Sequence, residues 1–469
     1  MPNLNRISFH LRALLKASGK DMTTGNPFSL IILYSVPLLL GNIFQQMYNM
    51  VDTIIVGRLL GTNSLAAVGN TGAMHFLILG FAYGVTSGFA VITAQRFGAK
   101  DEKGLRWSVA MNIMLNVAIG AVITVVSCLL TMPLLRAINT PPEIIGESFT
   151  YIFIIFLGLG AMILYNASAC ILRAVGDSRS PLVFLIFSSL LNIALDFVLI
   201  IYGGMGVAGA AVATVVSQAA AGISSAVWIW VRYPFLRVSR RDFVWDTYFA
   251  AQHLKIGLNM AFQFSITAIG TVVLQGALNV FGAAKIAAYT AAQKVVQLVT
   301  VAAETIGVTM ANYGGQNYGA NRIDRIKDGT NKAVLISLVF SLIAFALAWF
   351  LSDQLAGMFI SGEQPEVLDG ARTYLHICGA FFPVLFLLFI YRNVLQSIGL
   401  GFWPLMGGVF ELLARVVVAF LLPQAIGYVG ICLADPAAWL FATVPLGIAY
   451  YKIMAGLNNE NILAIKTRR

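Results

Sequence analysis

FSLIILYSVPLLLGNIFQQMYNMVDTIIVG, residues 28–57, contains a single charged side chain, Asp52. About 20 apolar residues cross the roughly 30 Å of hydrocarbon in a bilayer, so this stretch reads as a membrane-spanning helix with a carboxylate inside the apolar layer. Residues 182–203 have the same character around Asp196. Neither aspartate has a lysine or arginine at helical spacing. A central aspartate costs roughly 2.5–3.5 kcal/mol on insertion scales, so two without countercharges point to work rather than stability. The work they suit is moving a cation.

Composition extends this reading to the whole chain. Of 469 residues, 59% are hydrophobic and 11% charged, and the mean hydropathy is +0.82. That is an all-α polytopic membrane protein. Cys128, Cys170, Cys378 and Cys432 are far apart in apolar stretches, which excludes a disulfide framework and a Cys-x-x-Cys metal site. His10, His75, His253 and His376 are equally scattered, so neither a metalloenzyme nor a cofactor is expected. No Gly-x-x-x-x-Gly-Lys-Ser/Thr loop is present to cradle ATP, which disfavours a primary pump. Neither Asp52 nor Asp196 sits in the Gly-x-Gly-Asp context of an intramembrane protease. Residues 1–27 are basic and polar and lead directly into the first span, so that helix is expected to direct insertion without a cleaved leader.

Apolar stretches predict twelve helices, near 28–57, 64–97, 106–136, 146–173, 182–203, 205–231, 251–280, 286–318, 330–357, 368–398, 404–423 and 426–452. Turn chemistry separates them, as at Gly61-Thr62-Asn63, Pro141-Pro142, Tyr202-Gly203-Gly204 and Ser361–Pro365. The expected organisation is an N-terminal segment 1–27, a lobe 28–231, a connection 232–250, a second lobe 251–452 and a tail 453–469. Of the 30 basic residues, 24 fall at the termini and the even-to-odd connections, Arg392 counted among them. Both termini are therefore expected in the cytoplasm. The net charge of +10 is largely this bias, helped by attraction to anionic headgroups, and calls for no nucleic-acid partner.

The chain also repeats itself. At an offset of 221, Gly61, Ala66 and Ala67 match Gly282, Ala287 and Ala288, and Gln95, Gly98 and Ala99 match Gln316, Gly319 and Ala320. At an offset of 223, Leu172, Gly176, Pro181 and Leu182 match Leu395, Gly399, Pro404 and Leu405. Six helices per repeat give both halves the same orientation, related by an axis along the membrane normal. Two such bundles around a central cleft suit alternating access by rocking.

Gln45-Gln46-Met47-Tyr48-Asn49-Met50-Val51-Asp52, the segment Ile171–Leu182 around Gly176-Asp177, and Asn192-Ile193-Ala194-Leu195-Asp196-Phe197 resemble the multidrug and toxic compound extrusion (MATE) family, its DinF-like branch most of all. The resemblance covers essentially the whole chain. It implies the two-bundle fold of that family and a secondary antiporter that exports amphipathic, often cationic compounds in exchange for protons or sodium ions. A bacterial inner-membrane location follows, with drugs or toxic organic cations and membrane lipids as partners and a monomer as the working form.

By that resemblance the ion site comprises Asp52, Asn192, Asp196 and Thr214, and a sodium ion would sit at Asp52, Asn192 and Asp196. The residues agree with this, since Asn192 and Asp196 are four apart and share a helix face. Tyr48 and Gln45, four and seven residues before Asp52, share its face, and with Asn166 they are the candidate substrate contacts. Asn192, Thr214, Gln45 and Asn166 also suit plain hydrogen-bond ties between helices. Glu304 is a further candidate, for a cationic substrate or a second ion. Glu411 and Arg415, one turn apart, are expected to pair with each other as structure, while Asp435 satisfies backbone groups near Pro436 or pairs with Arg415. Helix 7 has no acidic residue, so the ion site that another branch of the family places there does not carry over. The alternative function is a flippase for lipid-linked precursors, which shares the architecture but needs several basic residues in its cleft.

Overall fold

The computed structural model describes residues 20–359 and 365–458, and every regular element among them is helical. The expectations for residues 1–19, the turn at 361–364 and the tail beyond 458 lie outside the described residues.

The spans run in order as α1 (Pro27–Leu60), α2 (Gly72–Gly98, after a short helix Thr62–Asn70), α3 (Glu102–Ala137), α4 (Pro142–Leu157 with Leu159–Ala174), α5 (Arg179–Phe197, continued by a π-turn at Val198–Tyr202) and α6 (Val207–Arg232). They continue as α7 (Thr247–Leu278), α8 (Gly282–Gly319), α9 (Ile323–Phe350), α10 (Pro365–Ala380 with Phe382–Ser397), α11 (Phe402–Ile426) and α12 (Ala434–Gly456, after Tyr428–Cys432). By length and apolar content, nine stretches among the described residues qualify singly and two bent pairs jointly. One of the nine, Thr247–Gly319, is broken by a tight turn at Asn279–Phe281, which makes it α7 and α8. The twelve predicted spans are thus present.

Bends within α4 and α10 escaped the sequence reading, because both sides of each break are apolar. They measure 48° and 49°. In α10 the break precedes Pro383, whose missing N–H ends the first helix.

The backbone repeats where the sequence does. Left-handed φ values recur at Gly61 and Gly282 (89° and 80°), Lys100 and Asn321 (56° and 58°), Gly176 and Gly399 (85° and 86°), and Gly206 and Gly427 (55° and 57°). The paired bends of α4 and α10 fall into the same register. A turn needs its special residue whatever lies around it, so turns preserve a repeat that apolar spans blur.

The chain divides into two compact units. One contains Leu33–Ala261, and the other runs from Phe262 onward and includes Gly25–Ile32. The boundary falls inside α7, because the first half of that helix is tied into the first unit. A Cβ on Gly84 would stand 2.5 Å from Ala261 Cα, and one on Gly88 2.5 Å from Gly257 Cα, so α2 and α7 touch backbone to backbone through small residues. Beside this contact Asn112 Nδ2 donates to Thr93 Oγ1 at 3.0 Å, Thr93 and Ser108 hydroxyls meet at 3.0 Å, and Ser108 Oγ meets His253 Nε2 of α7 at 3.1 Å. Elsewhere in this unit Ile55 and Val56 of α1 pack with Tyr151, Ile152, Ile155 and Phe156 of α4 and Ala210 and Ala211 of α6. That core holds the helix turn bearing Asp52.

Candidate functional site

Asp52 on α1 and Asp196 on α5 bring their carboxyl groups within hydrogen-bond reach of each other. Asp196 and Asn192 are fully buried, and Asp52 Oδ1 and Asp196 Oδ1 have no donor among the described residues. No arginine or lysine forms an ion pair with either aspartate among the described residues. With the Asn192 amide oriented to satisfy its neighbours, Nδ2 donates to Asp196 Oδ2 at 2.9 Å and to the Tyr48 hydroxyl at 3.0 Å. Its Oδ1 then accepts from the Thr214 backbone N–H at 3.1 Å. Tyr48 also shares a hydrogen bond with the Thr214 side chain, whose own hydroxyl donates to Ala210 O at 3.1 Å.

Three helices thus supply two carboxyls, an amide, a phenol and a hydroxyl to one buried place. Two carboxylates in contact repel each other strongly in a low-dielectric interior. A proton or a monovalent cation between them removes that repulsion. The carboxyl, phenol and hydroxyl oxygens suit a hard cation, while the Asn192 amide in this orientation turns its NH2 inward as a hydrogen-bond donor.

Tyr48, Asp52, Asn192, Asp196 and Thr214 are therefore gathered, whereas Gln45 and Asn166 are not. Gln45 is exposed on α1, Asn166 is half-buried on α4, and neither makes a hydrogen bond among the described residues. Tyr151 is an addition. It is buried in α4 close enough to both aspartates to sense their charge, and a tyrosine in an apolar helix gave no signal of that role.

The second unit corrects two expectations. Glu411 and Arg415 do not pair with each other. Glu411 is bonded by Arg392 of α10, and Arg415 binds Asp435 of α12, with Nε and Nη2 each 3.1 Å from Oδ1. Arg392 is accordingly no loop cation but a buried residue, 4% exposed. The physical reason is that an arginine selects the best desolvated carboxylate its helix faces, and packing between helices overrides spacing along one. Asp435 Oδ2 also accepts from the hydroxyls of Tyr289 at 2.9 Å and Tyr374 at 2.8 Å, and Tyr374 contacts Gln293. Glu304 on α8 has no hydrogen-bond partner among the described residues, and the charge it senses is that of Arg392. Neither Gly270 of α7 nor its neighbours offers a carboxylate, and Arg415 Nη1 packs where a Gly270 side chain would stand.

An open apolar cavity of about 480 Å³ in the first unit, lined by Phe81, Val122, Val126 and Leu258 among others, includes none of the predicted site residues. This cavity and the candidate site do not coincide. Among the described residues no group of three or more histidines, cysteines, aspartates or glutamates gathers to hold a metal ion.

Comparison with known proteins adds the following. The MatE family model matches residues 37–198 and again 256–421, one match in each half of the repeat. The probable multidrug resistance protein YoeA of Bacillus subtilis (strain 168) is 28% identical over 436 residues, covering 90% of this chain and 93% of that one. The multidrug export protein MepA of Staphylococcus aureus (strain NCTC 8325 / PS 47) is 21% identical over 407 residues, covering 86% and 89%. Among solved structures, a MOP superfamily transporter from Pyrococcus furiosus superposes with a TM-score of 0.87 at 24% identity, covering 94% of this chain and 98% of the other. An outward-facing multidrug resistance transporter of the same superfamily gives 0.86 at 24% identity, with the same coverage. At that identity the structural likeness speaks for the fold.

Proposed function

We propose that this chain, which belongs to the MatE family and is a multi-pass membrane protein, exports amphipathic, often cationic compounds by antiport with protons or sodium ions through alternating access. The observation that carries the proposal is the contact between Asp52, half-buried, and Asp196, fully buried, each with a buried oxygen that has no donor and neither with a basic partner among the described residues. A purely structural pair would have been replaced by a neutral one at lower cost. The naming of YoeA and MepA as multidrug proteins favours drugs over other cargo.

In the proposed cycle the outward-open form takes a proton or sodium ion at Asp52, Asn192, Asp196 and Thr214. Loss of the repulsion between the carboxyls alters packing around α1 at Tyr48, and the compound held near Tyr48, Gln45 and Asn166 leaves. Glu304, a half-buried carboxylate on α8 with no hydrogen bond among the described residues, supplies a countercharge for cationic compounds. The ion-loaded form then turns inward and releases its ion to the cytoplasm. No cofactor takes part, the chain works as a monomer in the plasma membrane, and both termini are cytoplasmic.

Exchange of one proton for one monovalent cation cancels the voltage term. One pH unit, about 1.4 kcal/mol, then supports about tenfold accumulation. The flippase reading needs several free basic groups within the spans; the two buried arginines Arg392 and Arg415 are already held by Glu411 and Asp435, which leaves Lys294 of α8 without an ion pair among the described residues.

The test is efflux of a fluorescent cationic dye from protein in liposomes, under a proton or a sodium gradient applied separately, with Asp52→Asn beside wild type. Efflux driven by one gradient and lost in Asp52→Asn supports the antiporter and names the ion. No efflux under either gradient in folded protein rejects drug export.

A further inference from the structure

We infer that the connection between α6 and α7 is a docking surface for anionic phospholipid headgroups. This inference stands apart from the transport reading and uses none of its residues. The connection is short and joins two spans directly, so it lies at the depth where their ends meet the headgroups. It is not a slack tether. Tyr233 is buried and its hydroxyl donates to Asp177 Oδ2 at 2.7 Å, Leu236 is buried beside it, and Trp107 Nε1 donates to Val244 O at 3.0 Å. Tight turns at Pro234–Leu236 and Arg240–Asp242 shape the remainder.

This anchoring sorts the charges by sign. Asp242 faces inward, accepting from the Ser239 backbone N–H at 2.7 Å and its hydroxyl at 2.8 Å, with Arg106 Nε 4.0 Å away. Asp246 caps α7, accepting from Phe249 N at 2.6 Å. Arg232, Arg237, Arg240 and Arg241 are all exposed, and none forms an ion pair among the described residues. Arg237 lies over the Trp230 ring, 5.9 Å from its centre, and bonds the Trp230 carbonyl at 2.6 Å. Exposed aromatic rings flank these cations: Trp230 (53%), Phe243 (41%), Trp245 (58%) and Tyr248 (57%). Indole and phenol rings settle at the level of the headgroups, and guanidinium groups there meet lipid phosphates. A neutral bilayer would leave the four arginines unmatched.

The experiment uses full-length protein in phosphatidylcholine vesicles containing a small fraction of phosphatidylglycerol. Tryptophan quenching by brominated phosphatidylglycerol is compared with quenching by brominated phosphatidylcholine at equal mole fraction. The contribution of the connection is the part lost in a W230F/W245F variant. The expected result is several-fold stronger quenching of that part by the anionic lipid, weakened by salt and abolished in R232Q/R240Q/R241Q, since each arginine near the surface is worth about fivefold. The matching lysine variant retains most of the preference, which separates charge from misfolding. Equal quenching by the two lipids, persistence of the preference in the neutralised variant, or displacement by soluble glycerol phosphate would each overturn the inference.

Discussion

Arg415 and Asp435, joined at 3.1 Å, stand at the positions that Asn192 and Thr214 occupy in the first repeat, by the offsets of 223 and 221 that relate the halves. The same place is therefore polar in both units but differently finished. In the second unit an arginine supplies a permanent, tethered cation. In the first unit neutral groups stand there, and the two carboxyls have no ion-pair partner among the described residues.

From this contrast Asp435→Ala should destabilise the protein by about 3–5 kcal/mol, because it strands a buried guanidinium. Thermal unfolding in detergent measures it. Arg415→Met with Asp435→Leu should recover much of the loss, and an Asp435→Ala protein as stable as wild type would remove the ion pair from the account.

Asp52→Asn and Asp196→Asn should behave in the opposite way. Each relieves a repulsion between carboxyls, so thermal stability is expected to hold or rise while gradient-driven efflux disappears. A large fall in unfolding temperature for either variant would mark the pair as structural.

Tyr48→Phe should weaken the response to the coupling ion without abolishing it. The change removes a hydroxyl that accepts from Asn192, an interaction worth about 1 kcal/mol, or roughly five- to tenfold in affinity. Efflux rate measured against proton or sodium concentration shows the shift as a displaced midpoint with the maximal rate retained.

Gly88→Val tests the close approach of α2 and α7. Its side chain would meet Gly257 backbone atoms within 3 Å, so the expected outcome is a loss of several degrees in unfolding temperature. Gly146→Ala, where a methyl group meets nothing within 4 Å, should be neutral in the same assay.

Acidification should loosen the α6–α7 connection. The Ser239 backbone N–H, aided by its hydroxyl and by Arg106, holds the Asp242 carboxyl below the usual range. A depressed carboxyl contributes fully above the unfolded value of about 3.9, and its contribution is lost as the pH falls through the folded value. Hydrogen exchange at Ser239 should therefore show protection that is flat from pH 7 to 5 and lost in stronger acid, whereas Asp242→Ala, which removes the acceptor, should lack it throughout.

How far the sequence could be read depended on the range of each interaction. The twelve spans were legible because a bilayer demands about 20 apolar residues per crossing, a requirement local to each helix. The repeat was legible at Gly61, Gly176 and their counterparts because turns need particular residues. Asp52 and Asp196 were legible because a charge in hydrocarbon is costly enough to be conspicuous, and Asn192 through the family resemblance and its spacing of four from Asp196. Tyr151, Tyr289 and Tyr374 were not, since a hydroxyl at the end of an apolar ring resembles any other core side chain until its partner is known. Gln45 looked like a neighbour of Asp52 by spacing, yet it is exposed on α1.

The sequence alone determined the class, the number of spans, the duplication and the identity of the unpaired acids. Tertiary structure decided the partners: that Asp52 meets Asp196, that Arg392 goes to Glu411, and that Arg415 goes to Asp435 rather than to the carboxylate one turn before it. Hydrophobicity fixes how deep a residue lies in the membrane, which each helix settles by itself. Which way the residue faces, and what it meets there, depends on the rotation and crossing of whole helices, and that is settled by their packing against one another.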